Sequence, residues 1–144
     1  MATTRHAEVT WRGSLIDGSG RIERVGSGAF GPLDVTWASR TEEPGGRTSP
    51  EELIAAAHAS CFSMALSHAL AEGGNPPEEL QTSADVTFVP GTGITQIRLA
   101  VRGRVPGLDE AAFLEAAEGA KDNCPVSQAV AAVGDISVEA TFES

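Results

Sequence analysis

The chain has 144 residues, enough for one domain with a sizeable core and too few for two. Asp and Glu number 20 against 10 Lys and Arg, a formal net charge of −10 with no basic cluster. This charge balance argues against nucleic acid or an anionic membrane surface as a partner. The composition is that of an ordinary globular chain, no run reads as a membrane span, and "MATTRHAEVTW" lacks the apolar region of a signal peptide, so a cytoplasmic location is expected.

In chain order, the first forty residues read as β structure. "HAEVTW" and "LDVTWASR" alternate in part and are punctuated by the glycine-rich connections "DGSG" and "GSGAFGP". On this reading Arg40 closes a strand and precedes the loop "TEEPGGRTSP". A long helix follows: Ser49 is placed to cap it, Pro50 suits its first position, and Glu52 falls where a capping box needs it. It should run to about Glu72, where "EGGNPP" forbids continuation. Its apolar residues are spread nearly all round, the pattern of a helix buried on most sides, and in so short a chain that implies cover from a second subunit.

Beyond the helix, "LQTSADVTFVP" and "ITQIRLAVRGRV" read as an antiparallel pair around "GTG". "LDEAAFLEAAEGAKDN" reads as a helix begun near Asp109, "PVSQAVAAV" as a shorter one, and "ISVEATFE" as a closing strand. Strands, a central helix, a hairpin, two helices and a last strand make an α+β fold without internal repeats.

The only two cysteines are candidates for chemistry. Cys61 lies in the alanine-rich stretch "TSPEELIAAAHASCFSMAL", where a thiol can simply fill a core. Cys124 precedes Pro125 at a helix start, where backbone N–H groups favour a thiolate, although Cys-Pro also serves as a plain loop-to-helix junction. Two cysteines without a signal peptide are either inert or a transient functional pair. Arg40 can hold a thiolate with its fork of donors or be a solvated charge. Glu51 can orient Arg40 or only complement the helix dipole. Ten residues separate Glu51 from Cys61, about 15 Å along a helix and about 80° around it. If both are functional they serve different sites, Glu51 acting on the Cys61 of another subunit. His58 and His68 share a face with Cys61, but no acidic ligand joins them and no CxxC is present, so no metal is expected.

Together, "TSPEELIAAAHASCFSMAL" and "NCPVSQAV" closely resemble the OsmC branch of the OsmC/Ohr family of organic hydroperoxide reductases, and "TWASR" ahead of the glycine-rich loop is similar to the same branch. The resemblance extends over nearly the whole chain, including "VTWRG" and "VPGLDEAAF". It implies one OsmC-like domain, residues 1–144, in an intertwined α+β homodimer. Antiparallel sheets would surround a long buried central helix at about 50–72, with sites between subunits. It implies a thiol peroxidase without cofactor or metal, in which Cys61 matches the peroxidatic cysteine and Cys124 the resolving one. Arg40 and Glu51 match the pair that activates the first thiol. Ser49 stands where the family has asparagine. The Ohr branch draws its arginine from nearer the N-terminus, which makes Arg12 and Arg21 the alternatives to Arg40.

The expected substrates are an organic hydroperoxide, favoured by an apolar lining from Phe62 and Met64, and a dithiol reductant of lipoyl type. The competing expectations are a redox-responsive stress or binding protein with little turnover, a disulfide oxidoreductase, which usually needs CxxC, and an inert structural domain.

Overall fold

The computed structural model describes residues 1–144 and is α+β. In chain order the elements are β1 (Ala7–Arg12), β2 (Ser19–Val25), β3 (Leu33–Val35), α1 (Trp37–Thr41), α2 (Pro50–Glu72), β4 (Glu79–Val89), β5 (Gly93–Arg104), α3 (Glu110–Asn123), α4 (Pro125–Ala129) and β6 (Ile136–Glu143). They form two compact units, Met1–Leu53 and Ile54–Ser144, with α2 beginning in the first and continuing in the second.

In the first unit β1, β2 and β3 make an antiparallel sheet. β2 lies between the two strands expected from sequence, and "LDVTWASR" divides into the short β3 and a helix. The helical turn prevails because Thr36 caps it: Thr36 Oγ1 accepts from the Ser39 N–H at 3.0 Å, and Ser39 Oγ accepts from the Thr36 N–H at 2.9 Å. These reciprocal bonds satisfy the exposed amides of the first turn and outweigh the β preference of Thr and Trp. Arg40 is therefore a residue of α1, not the end of a strand.

Helix α2 starts as its cap residues dictate, with Ser49 Oγ accepting from the Glu52 N–H at 3.1 Å. The Glu52 carboxylate accepts from Thr48 Oγ1 at 2.7 Å instead of closing the capping box. Within the chain α2 buries one face, through His58, Phe62, Leu66 and Leu70, whereas burial on most sides was expected. Ala56, Ser60, Met64 and His68 are exposed. The helix is also long and apolar enough to cross a membrane by length and composition, its mean hydropathy reaching 1.4. The sequence reading missed this because serines and histidines interrupt a run that alanine keeps apolar.

In the second unit β4 and β5 form the expected antiparallel hairpin. β6 joins β5 in parallel, so the sheet is mixed, not wholly antiparallel. The reason is the path between them: α3 and α4 carry the chain back along the sheet before β6 begins, and such a crossover delivers a parallel strand. Asp109 caps α3 by accepting from the Ala112 N–H at 2.8 Å. Phe62, Leu66, Leu99, Val101, Phe113 and Cys124 share the main core, and the Phe113 and Phe142 rings meet with centroids 5.6 Å apart. Each fully buried large apolar side chain contributes about 1.5–3 kcal/mol by removal from water.

Gly103 on β5 lets the Phe113 ring lie directly on the strand: a Cβ there would run into the ring edge and sit 3.1 Å from Leu80 Cδ2. Gly103→Ala is expected to destabilise the fold by about 1–3 kcal/mol, the usual penalty of overpacking. Thermal or denaturant unfolding measures it, and an unchanged midpoint contradicts it.

Candidate active site

The two cysteines meet in the core of the second unit. Asn123 ends α3 and Pro125 begins α4, so Cys124 caps both helices. Proline excludes the helical conformation from the residue before it, and Cys124 accordingly has φ −59° and ψ 125°. The break turns the chain so that the Cys124 side chain is fully buried in the core cluster, against which Cys61 packs. The Cys124 side chain and the Val126 backbone are the neighbours that act on the Cys61 thiol. Both thiols are free, Cys61 half-buried.

These surroundings set the acidity of Cys61. Burial pushes its pKa above the ordinary thiol value, contact with Cys124 pushes it the same way, and the Val126 N–H works in the opposite direction. Burial wins, because the neutral thiol survives desolvation far better than the thiolate does.

Arg40 and Glu51 form a second constellation, in the first unit. Arg40 Nε lies 3.0 Å from Glu51 Oε1 and 3.2 Å from Oε2, and Arg40 Nη2 lies 2.8 Å from Oε2. Glu51 is only 6% exposed, so these charge-assisted bonds fix a carboxylate that water barely reaches. The guanidinium also lies 5.9 Å from the Trp37 ring centroid, within cation–π range. Of the alternatives, Arg21 pairs with Asp34 at 3.5 Å, and both Arg12 and Arg21 line a polar cavity of about 440 Å³ on the first sheet. Arg40 is the arginine that holds Glu51.

Two expectations about Cys61's surroundings change. Phe62 and Met64 do not share a lining: two residue steps turn a helix by about 200°, so Phe62 is buried in the core while Met64 is 72% exposed. His58 is fully buried, its Nε2 2.7 Å from Ser127 Oγ and its Nδ1 without a hydrogen-bond partner. Ser127 and the Val126 amide are site components that sequence reading did not single out. The available signal was a matched spacing: His58 precedes Cys61 by three residues, and Ser127 follows Cys124 by three.

Burial lowers the His58 pKa from its ordinary 6.5. Below pH 6.5 the unfolded chain therefore binds a proton that the folded chain resists, and stability falls with falling pH until the folded-state pKa is passed. His58→Gln is expected to flatten this part of the profile. Chemical denaturation between pH 7.5 and 5 reads it, and an equal loss in parent and variant rules it out.

Comparison with known proteins identifies the family of the chain. The model of the OsmC-like protein family matches residues 43–139. The chain is 39% identical over 135 residues to peroxiredoxin OsmC of Escherichia coli (strain K12), covering 92% of this chain and 93% of that protein. The crystal structure of organic hydroperoxide resistance protein OhrB of Bacillus subtilis superposes with a TM-score of 0.61 at 25% identity, over 96% of this chain and 98% of that one. An OsmC organic hydroperoxide resistance protein from Legionella pneumophila shares the fold, with a TM-score of 0.64 at 23% identity over 96% and 97% of the two chains. By sequence and by fold, the chain belongs to the OsmC-like family.

Proposed function

We propose that this protein is a thiol-dependent peroxidase that reduces organic hydroperoxides to alcohols. The carrying observation is the buried contact between Cys61 and Cys124, in a chain 39% identical to a peroxiredoxin. The Cys61 thiolate attacks the outer peroxide oxygen. The O–O bond breaks, Cys61 becomes a sulfenic acid, and the alkoxide takes up a proton to leave as the alcohol. The Cys124 sulfur then displaces hydroxide from Cys61, forming the disulfide, and the thiol proton departs with the hydroxide as water. A dithiol, of lipoyl type on this reading, reduces the disulfide by exchange and is itself oxidised to a disulfide. The apolar core beside Cys61 favours organic over inorganic peroxides. The whole chain acts as one domain in the cytoplasm, where dithiols keep both cysteines reduced.

A thiol whose pKa is raised by burial needs a cation to ionise it. Arg40, oriented by Glu51, supplies that charge and stabilises the departing alkoxide. Glu51, which holds Arg40 of α1, belongs to the first turn of α2 and Cys61 to the fourth, so Arg40 and Glu51 serve the Cys61 of a partner subunit in an intertwined homodimer. The exposure of Val9, Trp11 and Phe30 in the first unit supports this: a three-stranded sheet needs a covered face. A second reading, a redox-responsive protein with little turnover, draws on the raised Cys61 pKa, since a mostly protonated thiol reacts slowly.

Peroxide consumption with a lipoyl dithiol decides between them. Cys61→Ser is expected to lose at least about 10³-fold in rate. Cys124→Ser should complete one rapid turnover and then stall with Cys61 as a sulfenic acid. A parent that oxidises once without cycling supports the second reading.

Mixed dimers test where Arg40 acts. A Cys61→Ser chain paired with an Arg40→Gln, Glu51→Gln chain retains one complete site if Arg40 acts across the interface. Such dimers should recover about half of the parent activity although each homodimer is inactive. No recovery places Arg40 with its own Cys61, and an active Arg40→Gln, Glu51→Gln homodimer places it outside the chemistry.

A further inference from the structure

The buried His58–Ser127 pair lies beside the cysteines but takes no part in the chemistry above. It joins the same two elements as the cysteines do: α2 contributes His58 and Cys61, three residues apart, and the α4 segment contributes Cys124 and Ser127, also three apart. The two helices are thus connected by two adjacent rungs, a polar one at 2.7 Å and the contact between the thiols.

The second helix has little with which to hold itself in place. α4 is five residues long and has no side-chain cap, and a helix this short has no stability of its own. Its register against α2 must come from its contacts. Ser127 is 6% exposed and His58 fully buried, so their hydrogen bond is shielded from water and from competing partners. With Nδ1 unpartnered, Nε2 provides the ring's one directional hydrogen bond.

Register matters most after Cys61 has been oxidised. The sulfenic oxygen then occupies space beside Cys124, yet the sulfurs must close to a covalent S–S distance of about 2.05 Å with a restricted dihedral. An α4 free to drift when the oxygen arrives would lengthen the life of the sulfenic acid, which is the form open to irreversible over-oxidation. We propose that His58 and Ser127 are positioning residues for the resolving step: their bond keeps α4 registered on α2 so that Cys124 stays within reach of oxidised Cys61. This rests on the peroxidase reading. In the step concerned, Cys61–SOH and Cys124–SH give the disulfide and one water.

Single-turnover experiments separate the two steps. Loss of free Cys61 thiol on mixing with one equivalent of cumene hydroperoxide reads the attack. Dimedone trapping and mass spectrometry read the decay of sulfenic acid to disulfide. Ser127→Ala and His58→Ala are expected to slow disulfide formation about tenfold, the effect of one lost buried hydrogen bond. Under excess cumene hydroperoxide, which supplies the second oxidising equivalent, sulfinic acid at Cys61 should rise accordingly, and attack in the single turnover should change by less than about threefold. His58→Gln, whose amide can reach Ser127 from near the Nε2 position, should restore most of the rate. Ser127→Ala removes one oxygen and decides the matter if His58→Ala fails to fold. Parent-rate disulfide formation in Ser127→Ala, or equal slowing of both steps, overturns the proposal. Cys124→Ser is the reference: if it traps no sulfenic acid, the peroxidase reading fails and takes this proposal with it.

Discussion

The geometry of the thiol site depends on the junction between Cys124 and Pro125. Proline cannot follow a helical residue without a steric clash, so α3 must stop at Asn123 and Cys124 must be extended. One backbone break then has several consequences. It turns the Cys124 side chain into the core, starts α4 with the Val126 backbone beside Cys61, and brings Ser127 to His58 one turn further on. Without the proline, α3 could continue as a regular helix, and these groups would be spread around its circumference.

That junction brings the sulfurs together but does not ionise them. Burial that suits disulfide formation, by excluding water from the pair, disfavours the thiolate on which the proposed first step depends. A single backbone N–H is a weak counterweight. The Arg40–Glu51 pair has the complementary character. Glu51 is almost wholly withdrawn from solvent, and its fork of contacts holds the guanidinium at a fixed angle, at little further entropic cost when a substrate arrives. In the proposed dimer, one constellation supplies the nucleophile and the other its charge, each preorganised by its own local structure.

The sequence was informative wherever short-range chemistry decides structure. Ser49, Pro50 and the terminal "GGNPP" bound α2 because caps and breakers act over a few residues, and the β4–β5 hairpin and Asp109 cap were legible for the same reason. α1 was not, since Thr36 and Trp37 favour strands by side-chain shape, and only their hydrogen bonding with Ser39 favours a turn. The direction of β6 was hidden too: alternation reports which face a residue occupies, not which way the neighbouring strand runs. Of the candidate site, Cys61, Cys124, Arg40 and Glu51 could be singled out by residue type and family resemblance. The His58–Ser127 bond joins positions far apart in sequence, and periodicity carries no trace of it.

Helix α2 has two stripes of four-residue spacing, and they differ in cover. His58, Phe62, Leu66 and Leu70 are covered by the chain's own core, whereas Ala56, Ser60, Met64 and His68 are exposed. A protein with a formal charge of −10 repels its own copies over most of its surface, so self-association favours a face without carboxylates. From Leu53 to Ala71 the helix carries no Asp, Glu, Lys or Arg, and the small alanine and serine side chains of the exposed stripe permit close approach of a second helix. The same absence of charge leaves Cys61 without a cation on its own helix. A dimer formed through this face would cover the exposed stripe while the partner's Arg40 supplied the missing charge. Assembly and thiol activation would then arise from one property of the sequence, a helix kept free of charge along its middle.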